Sequence, residues 1–209
     1  MRVNMKFLPF FLIVIIIFFA FTNKESTIQP LNPQDTILAF GDSLTYGYNA
    51  KADESYPTLL SRLSGHKVIN AGIPAESSYD GLKRLPKLLE DDNIKLMILF
   101  FGGNDIMQGL SMERLKSNLK TMIQMAKERH IEVLLISVPN LSLFGLSPLE
   151  LYKEVADEED VPLLSGMLAD IISKPSLKSD QIHPNDTGYK IMAEKIYEKL
   201  LQEGFILPQ

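Results

Sequence analysis

Apolar residues in this chain fall into two kinds of stretch, and the two kinds alternate. Thr36–Phe40, Lys67–Ala71, Leu96–Phe101, Val133–Val138 and Val161–Leu164 are short runs rich in Ile, Leu and Val without strict alternation. Parallel strands covered on both faces read this way. Between the runs, apolar residues recur at helical spacing. From Met112 to Arg129, the residues Leu115, Leu119, Met122, Ile123 and Ala126 share one face. In the last stretch Tyr189, Met192, Ala193, Ile196 and Leu200 do the same, and Tyr56–Leu63 and Ser78–Leu89 are shorter examples. Five strands with helical crossovers predict a three-layer α/β/α sandwich around a five-stranded parallel sheet. Residues 36–209 then form one domain, a size sufficient for a full core.

The pattern changes before Thr36. Phe7 to Phe21 is apolar throughout and follows Arg2 and Lys6. A positive start and an apolar stretch of this length predict, over residues 1–22, a secretory signal peptide or an uncleaved membrane anchor. Either one exports the rest of the chain, to the periplasm or another extracytoplasmic space. Residues 23–35 are polar and carry Pro30 and Pro33, so they read as a linker.

Composition removes several function classes. Net charge is -5 and no stretch is strongly basic, which argues against nucleic acid as a partner. Cysteine is absent, so disulfides, thiolate metal sites and a cysteine nucleophile are excluded. No cluster has metal-ligand spacing. Nothing in the composition indicates an oligomeric state.

The chemistry concentrates in four polar blocks. The first strand ends in Gly41-Asp42-Ser43-Leu44-Thr45. Gly41 permits a tight turn, and a serine at the carboxyl end of a buried strand sits where open α/β sheets bind ligands. Its plainer role is a helix N-cap. Thr45 occupies the place of the second glycine of a G-x-S-x-G elbow, so this is a different turn. The second block, Asn70 to Ser78, follows the second strand, with Ser77 or Ser78 as candidate caps. The third, Phe100-Phe101-Gly102-Gly103-Asn104-Asp105, closes the third strand, where an asparagine can donate to an oxyanion. The fourth is Asp180-Gln181-Ile182-His183-Pro184. Its Asp and His are three residues apart, the spacing of one helical turn, so the carboxylate can hold the ring. His66 and His130 lack such a partner and read as surface punctuation.

The four blocks, in this order and spacing, resemble the SGNH hydrolase superfamily, the GDSL esterases and lipases, from about Thr36 to Leu200. Gly81-Leu82-Lys83-Arg84-Leu85-Pro86 and Asp160-Val161-Pro162-Leu163-Leu164 are similar to the bacterial arylesterase, lysophospholipase and acyl-CoA thioesterase I branch. The resemblance implies a flavodoxin-like SGNH fold and an acyl-enzyme mechanism without cofactor or metal. It makes Ser43 the nucleophile, His183 the base and Asp180 its orienting carboxylate. It implies an oxyanion hole of the Ser43 N–H, the Asn104 side chain and a third N–H, where the family usually has glycine. Alignment puts Ala75 there, an N–H that serves if the residue's φ is negative, with Gly72 as the alternative. The implied substrate is a small-molecule or lipid ester, with Met107, Phe144 and Leu146 on two apolar loops as candidate acyl-pocket residues. A cell-wall glycan O-acetylesterase, or a non-catalytic glycan- or lipid-binding protein, stays open as an alternative.

Overall fold

The computed structural model describes residues 28–142 and 145–208, with the backbone alone over the hairpin around 141–148. The apolar segment 7–21 and Phe144 therefore lie outside the described residues, as does the side chain of Leu146. The sheet has five parallel strands: β1 (Thr36–Gly41), β2 (Lys67–Gly72), β3 (Ile94–Phe100), β4 (Glu132–Ile136) and β7 (Leu163–Leu164). Their spatial order is β2-β1-β3-β4-β7. The chain moves from β1 outward to β2 and then crosses back to β3 on the other side of β1. The β1/β3 seam is thus the topological switch point, where such sheets bind ligands.

The continuous apolar runs are explained by cover on both faces. Ile37 to Phe40, Leu96 to Phe101 and Val133 to Ile136 are fully or almost fully buried. The helices α2 (Tyr56–Ser64), α3 (Ser78–Leu88), α5 (Met112–Lys127) and α8 (Asp186–Gln202) match the helical spacing read from the sequence. Helix α5 buries Leu115, Leu119, Met122, Ile123 and Ala126, the stripe its spacing predicts. It packs between α3 and α6 (Glu150–Glu159) on one face of the sheet, while α2 packs on α8.

Several elements differ from the sequence reading. The last strand pairs over only two residues, Leu163 with Leu135 and Leu164 with Ile136. Leu141 and Leu146, expected on a loop, belong to two paired antiparallel strands, β5 (Pro139–Ser142) and β6 (Gly145–Pro148). Ile106 and Met107, also expected on a loop, sit in or at the end of α4 (Gly103–Met107). Helices α6 and α7 (Met167–Ile172) had no sequence counterpart. Among the described residues no helix is long and apolar enough to cross a membrane.

Candidate active site

The strand β1 delivers Ser43 to the start of a one-turn helix, α1 (Ser43–Tyr46). β1 ends at Gly41 and α1 begins at Ser43, so the chain turns sharply over Asp42, with Gly41 outside the left-handed region. Glycine is needed there for space: a Cβ would run into Thr45 Oγ1 and the Phe100 carbonyl. The cap of α1 is Asp42, whose Oδ1 accepts from Leu44 N at 3.0 Å. Ser43 is therefore released from the capping role that was its plainer reading, and its hydroxyl faces elsewhere.

That hydroxyl meets His183 from the far end of the chain, with Nε2 and Oγ 3.0 Å apart. The His183 Nδ1 lies 2.8 Å from Asp180 Oδ2. A carboxylate can only accept, so Nδ1 carries the proton and Nε2 offers its lone pair to the serine O–H. The Asp180–His183 segment is a bend, not the helical turn that the spacing suggested. It closes on the carboxylate itself: Oδ1 accepts from Ile182 N at 2.9 Å and from His183 N at 2.8 Å. Partial burial works against the Asp180 charge. The two N–H bonds and the His183 ring outweigh it and hold the carboxyl below its usual range.

Opposite these three residues stand the candidate oxyanion donors. Asn104, near the start of α4, donates from Nδ2 to Glu76 O at 3.0 Å and to Asp42 Oδ2 at 3.2 Å. Ala75 lies in a turn closed by Glu76 N to Ile73 O at 3.3 Å, with Pro74 and Ala75 at its centre. Its φ is +63°, so the negative φ on which its donor role was conditioned is not met; the residue keeps its N–H, and the cost of the conformation is backbone strain. The physical reason is the turn: proline at the second position and positive φ at the third define type II. Glycine is the residue that takes this φ without strain.

This loop is fastened from beneath. Arg84 of α3 forks onto Glu76, with Nε to Oε1 at 2.7 Å, and donates from Nη2 to Ala71 O at 2.8 Å. Its guanidinium lies over the Phe40 ring, and the Glu76 side chain is only 8% exposed. Asp105 holds Ser78, the first residue of α3, accepting from its N at 2.9 Å and its Oγ at 2.6 Å. Gly72 is otherwise engaged: its N–H donates to Asn70 Oδ1 at 3.0 Å, and a Cβ there would strike the Tyr46 backbone.

A small cleft opens beside Ser43 and His183. Leu44, Met107, Val138, Leu168, Ile172 and Ile182 make its apolar wall. Met107 is one of the residues that line it.

A sequence model of the GDSL-like lipase/acylhydrolase family matches residues 39–191 of this chain. The chain belongs to that family. Thioesterase 1/protease 1/lysophospholipase L1 of Escherichia coli K12 is 32% identical over 173 residues, covering 79% of this chain and 83% of that one. The arylesterase of Vibrio mimicus is 29% identical, covering 80% of this chain and 89% of the relative. The crystal structure of TesA superposes with a TM-score of 0.73 at 26% identity, over 81% of this chain and 99% of that one. The five-stranded sheet and its helices are those of an SGNH hydrolase, and the protein is an ester hydrolase of that kind.

Sequence reading of this GDSL hydrolase missed part of the site. Leu168 and Ile172 had a faint signal, two apolar residues four apart in an otherwise unassigned stretch. Val138 and Ile182 had none, because a cleft wall is assembled from distant elements. Asp42 was legible only as a motif letter. Burial pushes its carboxyl up to about 7; the Leu44 N–H and Asn104 offset this in part, while Asp105 and Glu76 add to it.

Proposed function

We propose that the protein is an exported serine esterase that cleaves acyl esters of the arylesterase and lysophospholipase kind through an acyl-enzyme. The observation that carries this is the Ser43–His183–Asp180 chain of contacts, 3.0 and 2.8 Å, at the mouth of an apolar cleft. Ser43 Oγ attacks the acyl carbon while its proton passes to His183 Nε2. The tetrahedral oxyanion is held by the N–H groups of Ser43 and Ala75 and by Asn104 Nδ2. Asn104 exchanges one of its present acceptors for the oxyanion, and the weaker contact, to Asp42 at 3.2 Å, is the one to yield. His183 then returns the proton to the leaving alcohol, and water repeats the cycle to free the acid. Ala75 is favoured over Gly72 as the third donor because the Gly72 N–H is already bonded.

The six apolar wall residues suit an acyl group, which favours a hydrophobic ester over an acetylated glycan. The relatives named arylesterase and lysophospholipase L1 support the same substrate class. Export rests on the apolar segment 7–21 and the basic residues before it.

The test uses the full chain in detergent. A fluorophosphonate probe is expected to label the wild type and not Ser43→Ala. Aryl esters of rising chain length are expected to be cleaved with a preference beyond acetyl. An unlabelled wild type would overturn the serine mechanism; activity confined to acetyl esters would overturn the substrate class.

A further inference from the structure

The turn after α1 touches both ends of the triad. Tyr48 N donates to Ser43 O at 3.0 Å, and the Tyr48 ring lies against His183 with centroids 4.7 Å apart. The next residue, Asn49, donates from Nδ2 to Asp180 Oδ2 at 3.1 Å and to Ser179 Oγ at 3.2 Å. Asp180 Oδ2 is the oxygen that accepts from His183 Nδ1. Thus Oδ1 is fixed by two backbone N–H groups, and Oδ2 by the His183 ring and Asn49.

Asn49 is exposed, and an exposed amide bond is ordinarily weak because water competes. Here the turn is pinned independently. Tyr189 OH donates to Tyr48 O at 2.9 Å. Lys51 binds Asp186 at the head of α8 twice, through its N–H at 3.0 Å and its ammonium at 2.9 Å. Asn49 itself has φ +63°, a conformation that asparagine tolerates better than other side-chain residues. Its amide is therefore aimed before Asp180 arrives, so little entropy is lost in forming the bond.

We propose that Asn49 is a positioning residue of the triad: it orients the Asp180 carboxylate, and through it the His183 ring, from a turn that also contacts Ser43. The proposal rests on the serine esterase reading above. It assigns a task to a residue that carries no block motif and that no motif search would select.

Two substitutions separate the donor from the backbone. Asn49→Gly keeps the left-handed turn and deletes the amide. Asn49→Asp keeps the shape and replaces the donor by a second carboxylate. With the full chain and a short aryl ester, both are expected to lower kcat five- to twentyfold with KM within twofold of wild type. Asn49→Gly is then repeated in an Asp180→Ala background, where it is expected to have no further effect. Wild-type kcat in Asn49→Gly, or the same loss in both backgrounds, would overturn the proposal alone. An Asp180→Ala enzyme with full activity would overturn the triad reading, and the Asn49 assignment with it. Unfolding of the Gly variant is checked by thermal melting; Asn49→Asp, isosteric at the same turn, then decides by the same kcat criterion.

Discussion

The two halves of this site are held together in different ways. The triad half joins Ser43 to a segment 140 positions away, yet its contacts are complete: 3.0 Å to the histidine and 2.8 Å on to the aspartate. The oxyanion half is built from neighbouring loops, yet its side-chain donor is bonded to its own protein. Its backbone candidate, Ala75, sits in a conformation that costs an L-residue about 1–2 kcal/mol. The triad depends on a few side chains whose partners are fixed by their type. The oxyanion half depends on loop conformation, which Arg84, Glu76 and Asp105 impose from outside the reacting atoms. Loss of Ser43 or His183 should thus be all or none, and damage to the second half graded.

The largest effect tests the first statement. Ser43→Ala or His183→Ala is expected to remove hydrolysis by four orders of magnitude or more, roughly, because triad members act as a unit. Steady-state turnover of an aryl ester within tenfold of wild type would break the contrast at once. Asn104→Ala is expected to lower kcat by about 10²–10³, the range for one oxyanion donor, and to leave KM nearly unchanged. A rise in KM at constant kcat would turn Asn104 into a substrate-binding residue.

Arg84→Ala probes the support below the loop. It leaves the Glu76 carboxylate, 8% exposed, without its fork. Breaking such a pair costs about 3–5 kcal/mol, so denaturant unfolding should show a clear loss of stability. Among molecules still folded, kcat should fall more than in any surface Lys variant, since Glu76 O is a partner of Asn104.

Asp42 links the halves, with Oδ1 on the triad side and Oδ2 on Asn104. In the fold it keeps its proton up to about 7, against 3.8 for a free aspartate. Between those values the folded state binds the extra proton. Stability is therefore fully present below pH 3.8 and is lost as pH rises through about 7, with a slope of up to about 1.4 kcal/mol per unit. Asp180 and Asp186 have carboxyls shifted downward and act below this window. Denaturation from pH 4.5 to 7.5 should show the decline in wild type and a flatter line in Asp42→Asn. Equal slopes would remove Asp42 as its source.

The smallest effect is Ala75→Gly. Relief of the left-handed strain is partly offset by the greater freedom of glycine when unfolded, so stability should change by less than about 1 kcal/mol, upward. Turnover should stay within twofold, since the N–H survives. A severe loss would show that the methyl group itself holds the loop.

Ser43, Asn104, Asp180 and His183 stood out because each sits in a short block whose residue types have few other uses in that order. The sandwich was legible for a related reason: a parallel strand buried on both faces needs an unbroken apolar run, and a covering helix needs one stripe. Thr36–Gly41 and Met112–Lys127 satisfy those rules by local sequence alone. Asp180 and His183 show the limit, since their spacing is right but the bend that joins them is made by the carboxylate's own bonds to two N–H groups. Tertiary structure alone decided the rest. Leu168, Ile172, Val138 and Ile182 become a cleft wall only when α7, the end of β4 and the histidine bend converge. The place of the Ala75 turn is set by Arg84 and Asp105, which hold its flanks from other elements. Asn49 meets Asp180 across 131 positions. Each of these depends on contacts between segments far apart in the chain, and a pattern of period two or 3.6 carries no record of them.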